Sequence, residues 1–426
     1  MSAPEFRSRR PLDVYLGSER IGSLEDRGMG FVALDFDESA VLRYGVGSRI
    51  VSIALPVGWD TTDPLIATPF FAGLLPEGRA RDRLCQEFRL SPNDPFALLT
   101  VLGPESVGAL VIVPEGSATP PEDGAERVLD AEGLTAELDR LDIAPLGVTP
   151  TGAVRLSMAG VQQKLLLVRN STGQLALPLH GRPSTHIAKP GNDDPRFPHI
   201  VENEAFCLDI CRRLGVETTR FEVITPAARP VLLIERYDRT VGRDGRVERI
   251  HQEDACQATA TYPQFKYEQE GGPALATVAG LLSEHASRPA LDRLALFRLA
   301  VVNLLLGNCD AHGKNVSFLH DAGGVRLAPA YDIVSTEAYD EHTDVLGMRV
   351  GHVEHLRGVN RDAVLREAHA MRVPPGLAVR TLNDVERRLG PAIDQALSAS
   401  REGGWFDPII DRIAEGTRTR AARILG

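Results

Sequence analysis

Between residues 12 and 113 short apolar runs alternate with turn residues, in the order LDVYLG, FVALDF, RIVSIALP and GALVIVP. Runs of this length, rich in β-branched residues and closed by Gly or Pro, predict strands of a small α+β module. Between the last two lies FFAGLLPEGRARDRLCQEF, whose pattern after Pro76 is helical. Over residues 114–152 the composition shifts to Pro, Gly, Ser, Thr and acids, with one amphipathic helix expected near Leu129 to Leu141, which marks a boundary. Beyond Gly152, KLLLV, THIAKP, FEVITP and VLLIERYD predict strands interleaved with turns and a helix around Glu204 to Leu214. From Ala274 onward the segments are long and helical. They are broken by NVSFLHDAGGVRLAPAYDI, which predicts two short strands about a turn at Asp321 to Gly324. The expected organisation is a subdomain over 1–113, a linker with a short helix over 114–152, a β-rich lobe over 153–273 and a helical lobe over 274–426.

Composition narrows the class. With 43% hydrophobic and 25% charged residues over 426 positions, the chain reads as a soluble globular protein of two or three domains, neither disordered nor collagenous. Aromatics at 5% are too sparse for a single-strand stacking surface, and a net charge of −11 opposes a phosphate-backbone footprint. Direct nucleic-acid binding is therefore not expected. The basic runs Arg7 to Arg10 and Arg418 to Arg423 read as solvated termini. The five cysteines form no CxxC pair, which suits reduced thiols. Cys207 and Cys211 lie one helical turn apart, as two metal ligands would. With Ile210 and Leu214, however, they form an apolar helical stripe closed by Gly215, and a buried helix face is the expectation. The longest apolar stretch, residues 294–306, is interrupted by Arg298 and Asn303 and is too short to span a bilayer. The start MSAPEFRSRRP lacks an apolar signal region, so a cytoplasmic protein without membrane contact is expected.

Chemistry concentrates in GNCDAHGKNVSFL, residues 307–319, directly after the apolar stretch. Asp310 precedes Asn315 by five positions. In protein kinases this spacing lets the Asp accept the proton of a substrate hydroxyl while the Asn amide oxygen ligates magnesium. The spacing alone also suits an ordinary polar turn. A second segment, LAPAYDIVST, places Asp332 22 residues after Asp310, where a kinase carries its magnesium-binding Asp. Upstream, THIAKP ends a strand at Lys189, and the next helix opens with Glu202, Asn203 and Glu204. A strand Lys reaching ATP phosphates and braced by a helix carboxylate is the kinase pattern, with the choice of carboxylate left open. RLSMAGVQQKLLLV puts Gly160 in a turn where backbone can approach phosphates. It is no Walker A loop, and GNCDAHGKN also fails that pattern, with five residues between its glycines and Asn after Lys314. VLLIERYDR ends a strand at Glu235, where backbone groups can meet adenine as a kinase hinge does.

The ordered set FFAGLLPEG, SMAGVQQK, THIAKP, ENEAFCLDICRRLGV, ERYDR, HQEDACQ, KYEQEGG, GNCDAHGKN and APAYDI resembles the HipA family of toxin kinases in bacterial type II toxin–antitoxin systems, from about Leu12 to Ser335. The resemblance implies an α+β fold, with a small N-terminal subdomain followed by a two-lobed protein-kinase-like core whose C-terminal lobe is all helical. It implies ATP and Mg2+ as cofactors, Lys189 on the ATP phosphates, Glu235 and Tyr237 at the adenine hinge, and Gln252 near the ribose. It further implies Asp310 as base, Asn315 and Asp332 on magnesium, His312 and Lys314 as phosphate contacts, and Ser157 as an autophosphorylation site. The implied partners are a DNA-binding HipB-like antitoxin and a protein substrate such as an aminoacyl-tRNA synthetase. Two rival readings remain. A two-metal phosphoesterase is suggested by Asp310-Ala-His312 and by GHVEH at 351–355, but no upstream Asp-x-His supplies the first half of such a site. A catalytically silent, antitoxin-binding corepressor is opposed by the intact Lys189, Asp310, Asn315 and Asp332.

Overall fold

The computed structural model describes residues 9–118, 124–143, 164–179, 181–191, 194–321, 323–341 and 343–426. They fall into two compact units, the first from residues up to Ile187 together with Asp238–Gln264, the second from Ala188–Tyr237 together with Phe265–Gly426. Helix and strand are mixed throughout, as an α+β fold requires.

The first unit is built on an antiparallel sheet of β1 (Leu12–Leu16), β2 (Glu19–Gly28), β3 (Phe31–Phe36) and β4 (Leu110–Pro114), in the order β3-β2-β1-β4. Leu12, Val14, Ile21, Leu24, Leu110 and Ile112 bury a continuous apolar face against Phe70, Phe71 and Leu99 from the helices Pro64–Gly73 and Pro95–Leu102. Both helices start where the sequence provides a cap and a Pro. Asp63 accepts from the Leu65 amide and Asp94 from the Ala97 amide, each followed by Pro at the first helical position. The sequence of β2 does not read as a strand, because Ile21 and Leu24 are its main core positions among Arg20, Glu25, Asp26 and Arg27. RIVSIALP, expected as a strand, is irregular. The buried Glu253 carboxylate accepts from the Ser52 hydroxyl at 2.5 Å and the Ile53 amide at 2.8 Å, so these donors are committed to a side chain rather than to a ladder. The stretch expected as a linker contributes β5 (Glu126–Val128), which pairs with β7 (Leu175–Pro178), itself paired with β6 (Leu165–Arg169).

In the second unit the helix Ile200–Arg213 is buried from Val201 to Cys211, its polar residues included. The hairpin of strands Ser317–Asp321 and Gly324–Leu327 stands where the sequence places it. The stretch expected as otherwise helical holds a further hairpin, Val345–Val350 with Val353–His355. Its turn, Gly351 and His352, has φ of 55° and 69°, and two successive positive φ values are what a two-residue hairpin needs. Gly-His is a weaker signal for that turn than Asn-Gly, which is why the sequence does not announce these strands.

The helix Pro289–Leu306 ends at Gly307 in the left-handed region, as a C-terminal Gly allows. Its last carbonyls are satisfied from far away in the chain. The buried Arg420, on the helix Pro408–Ile424, donates from Nε to the Leu305 carbonyl at 2.8 Å and from Nη2 to the Leu306 carbonyl at 2.9 Å. Replacing it by Met keeps most of the apolar stem but removes the donors. Arg420→Met is expected to lower unfolding free energy by about 1.5–3 kcal/mol, the range for a hydrogen bond to a charged group, as read by urea denaturation.

Candidate active site

Lys189 lies in the strand His186–Pro190 and is buried. Its ammonium donates to Glu204 at 2.8 Å (Oε1) and 3.1 Å (Oε2) and to Asp332 Oδ1 at 2.8 Å. Burial opposes the charge, but Asp332 and Glu204 outweigh it and hold the ammonium above the ordinary lysine range. Because the shift is upward, the stabilisation it carries is complete below the ordinary lysine range. It is lost only as pH rises beyond that range, so Lys189 stays cationic at neutral pH. The open choice between carboxylates thus resolves to Glu204. Glu202 is also buried, and burial pushes its carboxyl pKa up.

The residue beside Glu204 braces the other side of the site. The Asn203 side chain donates to the Ser335 carbonyl at 3.0 Å and to the Tyr339 hydroxyl at 3.1 Å, and accepts from the Ser335 amide at 2.8 Å. One turn of helix therefore fixes both the Lys189 strand and the chain just after Asp332. Asp332 itself has φ of 56°, a left-handed backbone that Asp tolerates better than most residues. Its side chain is 45% exposed even while paired with Lys189.

The loop after the helix Pro289–Leu306 is pinned by its own backbone. The Asp310 amide donates to Asn308 Oδ1 at 3.1 Å, and the Asp310 carbonyl accepts from the His312 amide at 2.8 Å and from Asn315 Nδ2 at 3.1 Å. That contact commits the NH2 end of Asn315, so the amide oxygen is the end available to a cation. The Gly347 amide donates to the Cys309 carbonyl at 2.7 Å. A Cβ on Gly347 would lie 2.8 Å from the Ala311 carbonyl oxygen and 3.0 Å from the His312 amide nitrogen, so the loop leaves room there for Gly alone. Asp310 is exposed, whereas His312 and Lys314 are buried. The Tyr331 hydroxyl donates to the Lys314 carbonyl at 2.6 Å, and its ring lies 5.8 Å from that of Tyr237. Glu235 ends the strand Val231–Glu235 with its amide on the Arg220 carbonyl at 2.9 Å and its carbonyl on the Thr219 hydroxyl at 2.8 Å.

Lys189, Glu235, Tyr237, Asp310, His312, Lys314, Asn315 and Asp332 all belong to the second unit. Gln252 belongs to the first, where it is buried and donates from Nε2 to Asp238 Oδ2 at 3.0 Å. Ser157 and Gly160 lie outside the described residues. Sequence reasoning gives no role to Asn203, to Gly347, or to Tyr267, whose hydroxyl donates to Asp310 Oδ1 at 2.6 Å. Among the described residues no group of three or more His, Cys, Asp and Glu is placed to hold a metal. Cys207 and Cys211 are both buried. Burial pushes the Cys207 thiol pKa up to about 12, disfavouring the thiolate a metal would need. Among the described residues no helix is long and apolar enough to cross a membrane.

A buried strand lysine held by a helix glutamate, an Asp-x4-Asn loop and a following Asp make this a protein-kinase-like chain. Residues 156–393 match the HipA-like C-terminal domain and residues 12–113 match the HipA N-terminal domain. The chain is 42% identical over 316 residues to Y4mE of Sinorhizobium fredii, a relative named as a kinase, covering 73% of this chain and 74% of that one. It is 28% identical over 398 residues to the serine/threonine-protein kinase toxin HipA of Shewanella oneidensis, covering 91% and 89%. It also superposes on a chain of the solved Shewanella oneidensis HipA, HipB and operator DNA complex with a TM-score of 0.82 at 25% identity, covering 97% of each. The chain belongs to the HipA family of serine/threonine-protein kinase toxins.

Among the described residues, removing Glu204 would leave Lys189 with Asp332 as its carboxylate partner. Glu204→Ala is expected to destabilise the protein by less than the roughly 3–5 kcal/mol typical of breaking a buried pair, because the exposed partner remains. Urea unfolding of the variant beside wild type reads the difference.

Proposed function

We propose that the chain transfers the γ-phosphoryl group of ATP to a seryl or threonyl hydroxyl of a protein, with magnesium required. The observation that carries this reading is the buried Lys189 ammonium set between Glu204 and Asp332, in the same unit as the Asp310 and Asn315 loop. A cation fixed at this place and charged at neutral pH is suited to phosphate oxygens. Asp310 accepts the proton of the substrate hydroxyl, for which an exposed carboxylate is suited. Asn315 and Asp332 offer an amide oxygen and a solvent-exposed carboxylate, a hard oxygen pair that fits magnesium completed by water and phosphate. A magnesium ion held by Asn315 and Asp332 would supply the positive charge that offsets the β- and γ-phosphates. In this reading Glu235 and Tyr237 would meet the adenine, and His312 and Lys314 the phosphates.

Phosphate transfer would act on a translation component such as an aminoacyl-tRNA synthetase. A HipB-like DNA-binding antitoxin would restrain the kinase, and the setting is cytoplasmic. The HipA, HipB and operator DNA complex supports the antitoxin reading, and the net charge of −11 supports leaving DNA contact to that partner. Ser157 is the proposed autophosphorylation site. A phosphate there adds roughly −1.5 to −2 charges to a loop proposed to lie beside ATP phosphates, which lowers nucleotide affinity.

Incubation with labelled ATP and magnesium tests the reading. Asp310→Ala should lose at least about 100-fold in transfer rate while keeping ATP affinity, whereas Asp332→Ala should lose the magnesium-dependent part of that affinity. Transfer by Asp310→Ala at the wild-type rate would overturn the assignment, and ATP binding without transfer by wild type would favour the silent corepressor. Mass spectrometry after ATP incubation should find phosphate on Ser157; its absence from a chain that phosphorylates other proteins would refute that site.

A further inference from the structure

The segment KYEQEGG, residues 266–272, has no role in the proposed reaction, yet it packs on the loop that carries Asp310. The segment is tied at three residues, one of them through its side chain. The Gly313 amide donates to the Lys266 carbonyl at 3.0 Å, and the Arg349 amide donates to Glu268 Oε2 at 2.6 Å. The Glu270 and Gly272 amides donate to the Tyr267 carbonyl at 3.0 and 2.9 Å. Gly271 has φ of 99°, and a Cβ on Gly272 would fall 2.6 Å from the Phe265 carbonyl oxygen, so the turn closes as tightly as backbone permits. Within this frame the Tyr267 ring stands edge-on to His312, with centroids 5.1 Å apart, and the Lys266 ammonium lies 5.6 Å over its face. The ring therefore contacts both His312 and Lys266. Its hydroxyl ends 2.6 Å from Asp310 Oδ1.

We propose that Tyr267 is a positioning residue, fixing the Asp310 carboxylate through Oδ1 so that Oδ2 faces the arriving substrate hydroxyl. The inference rests on the reading of Asp310 as the base. An exposed carboxylate on a loop rotates about its terminal torsion, and a base that is misplaced by a fraction of an ångström transfers protons poorly. A fixed donor on one oxygen removes that freedom and leaves the other as the acceptor. The mobile alternative is a tyrosine that plugs the place of the substrate hydroxyl and must swing away. The ties on both neighbours, Lys266 and Glu268, and the ring contact with His312 favour the fixed role.

Tyr267→Phe keeps the ring on His312 and removes the hydroxyl alone. In the full chain, with labelled ATP and a protein or peptide acceptor, kcat should fall by about 10- to 100-fold. The KM for ATP and the melting temperature should stay at wild-type values. In an Asp310→Asn background the same change should lower the residual rate no further, since there is no longer a carboxylate to orient. A purely structural role would instead weaken ATP binding or lower the melting temperature, and would act with equal force in both backgrounds. Unchanged kcat in Tyr267→Phe beside a slow Asp310→Asn would overturn the positioning role alone. A raised kcat would overturn it in favour of the plug, and a fully active Asp310→Asn would overturn the base assignment beneath it.

Discussion

One ammonium organises the second unit. Lys189 is taken out of water and given two carboxylates, one deeply buried at Glu204 and one half-exposed at Asp332. A lone buried cation would be too costly to keep charged, so the strand, the helix Ile200–Arg213 and the segment around Asp332 have to meet. The two carboxylates are not equivalent. Glu204 is enclosed and makes two contacts to the ammonium, whereas Asp332 makes one and keeps access to solvent. On the proposed reading, one partner holds the lysine while the other can be shared with an ion.

The helix Ile200–Arg213 carries this arrangement with adjacent side chains pointing apart. Glu204 faces the strand, while Asn203 uses both ends of its amide on Ser335. Its donor and acceptor are both satisfied although it is buried, which makes the contact rigid without a desolvation penalty left over. The Asp310 loop depends on a different set of supports. Arg420 ends the preceding helix, Gly347 passes close enough to exclude any side chain of its own, and Tyr267 reaches the carboxylate.

Much of the candidate site is legible in the amino-acid sequence. Lys189, Asp310, Asn315 and Asp332 stand in short motifs whose spacing reflects reach along a loop or strand, so sequence alone brings them forward. Glu204 is harder to single out. Residues 202 and 204 differ by about 200° around a helix, and a helix buried on all sides shows no polar face to say which carboxylate looks inward. Tyr267, Asn203 and Gly347 act through contacts with residues far away in the chain, where spacing carries no information. The same reason hides β2 and the Val345–His355 hairpin. The first has too few apolar positions, the second a turn without the usual residues, and in both the neighbouring elements decide.

The separation of partners along the chain sets an order of events during synthesis. Lys189 and Asp332 are 143 residues apart, and Arg420 lies 115 residues beyond the carbonyl of Leu305. A nascent chain emerging from the ribosome carries Lys189 and Glu204 early, yet cannot close the cluster until Asp332 follows, nor cap the helix before Asp310 until Arg420 does. Contacts of such long range form late and slowly. The cluster and the helix end before Asp310 would therefore be complete only once Arg420 has been made, so that a copy terminated before that residue carries Lys189 and Glu204 without their later partners.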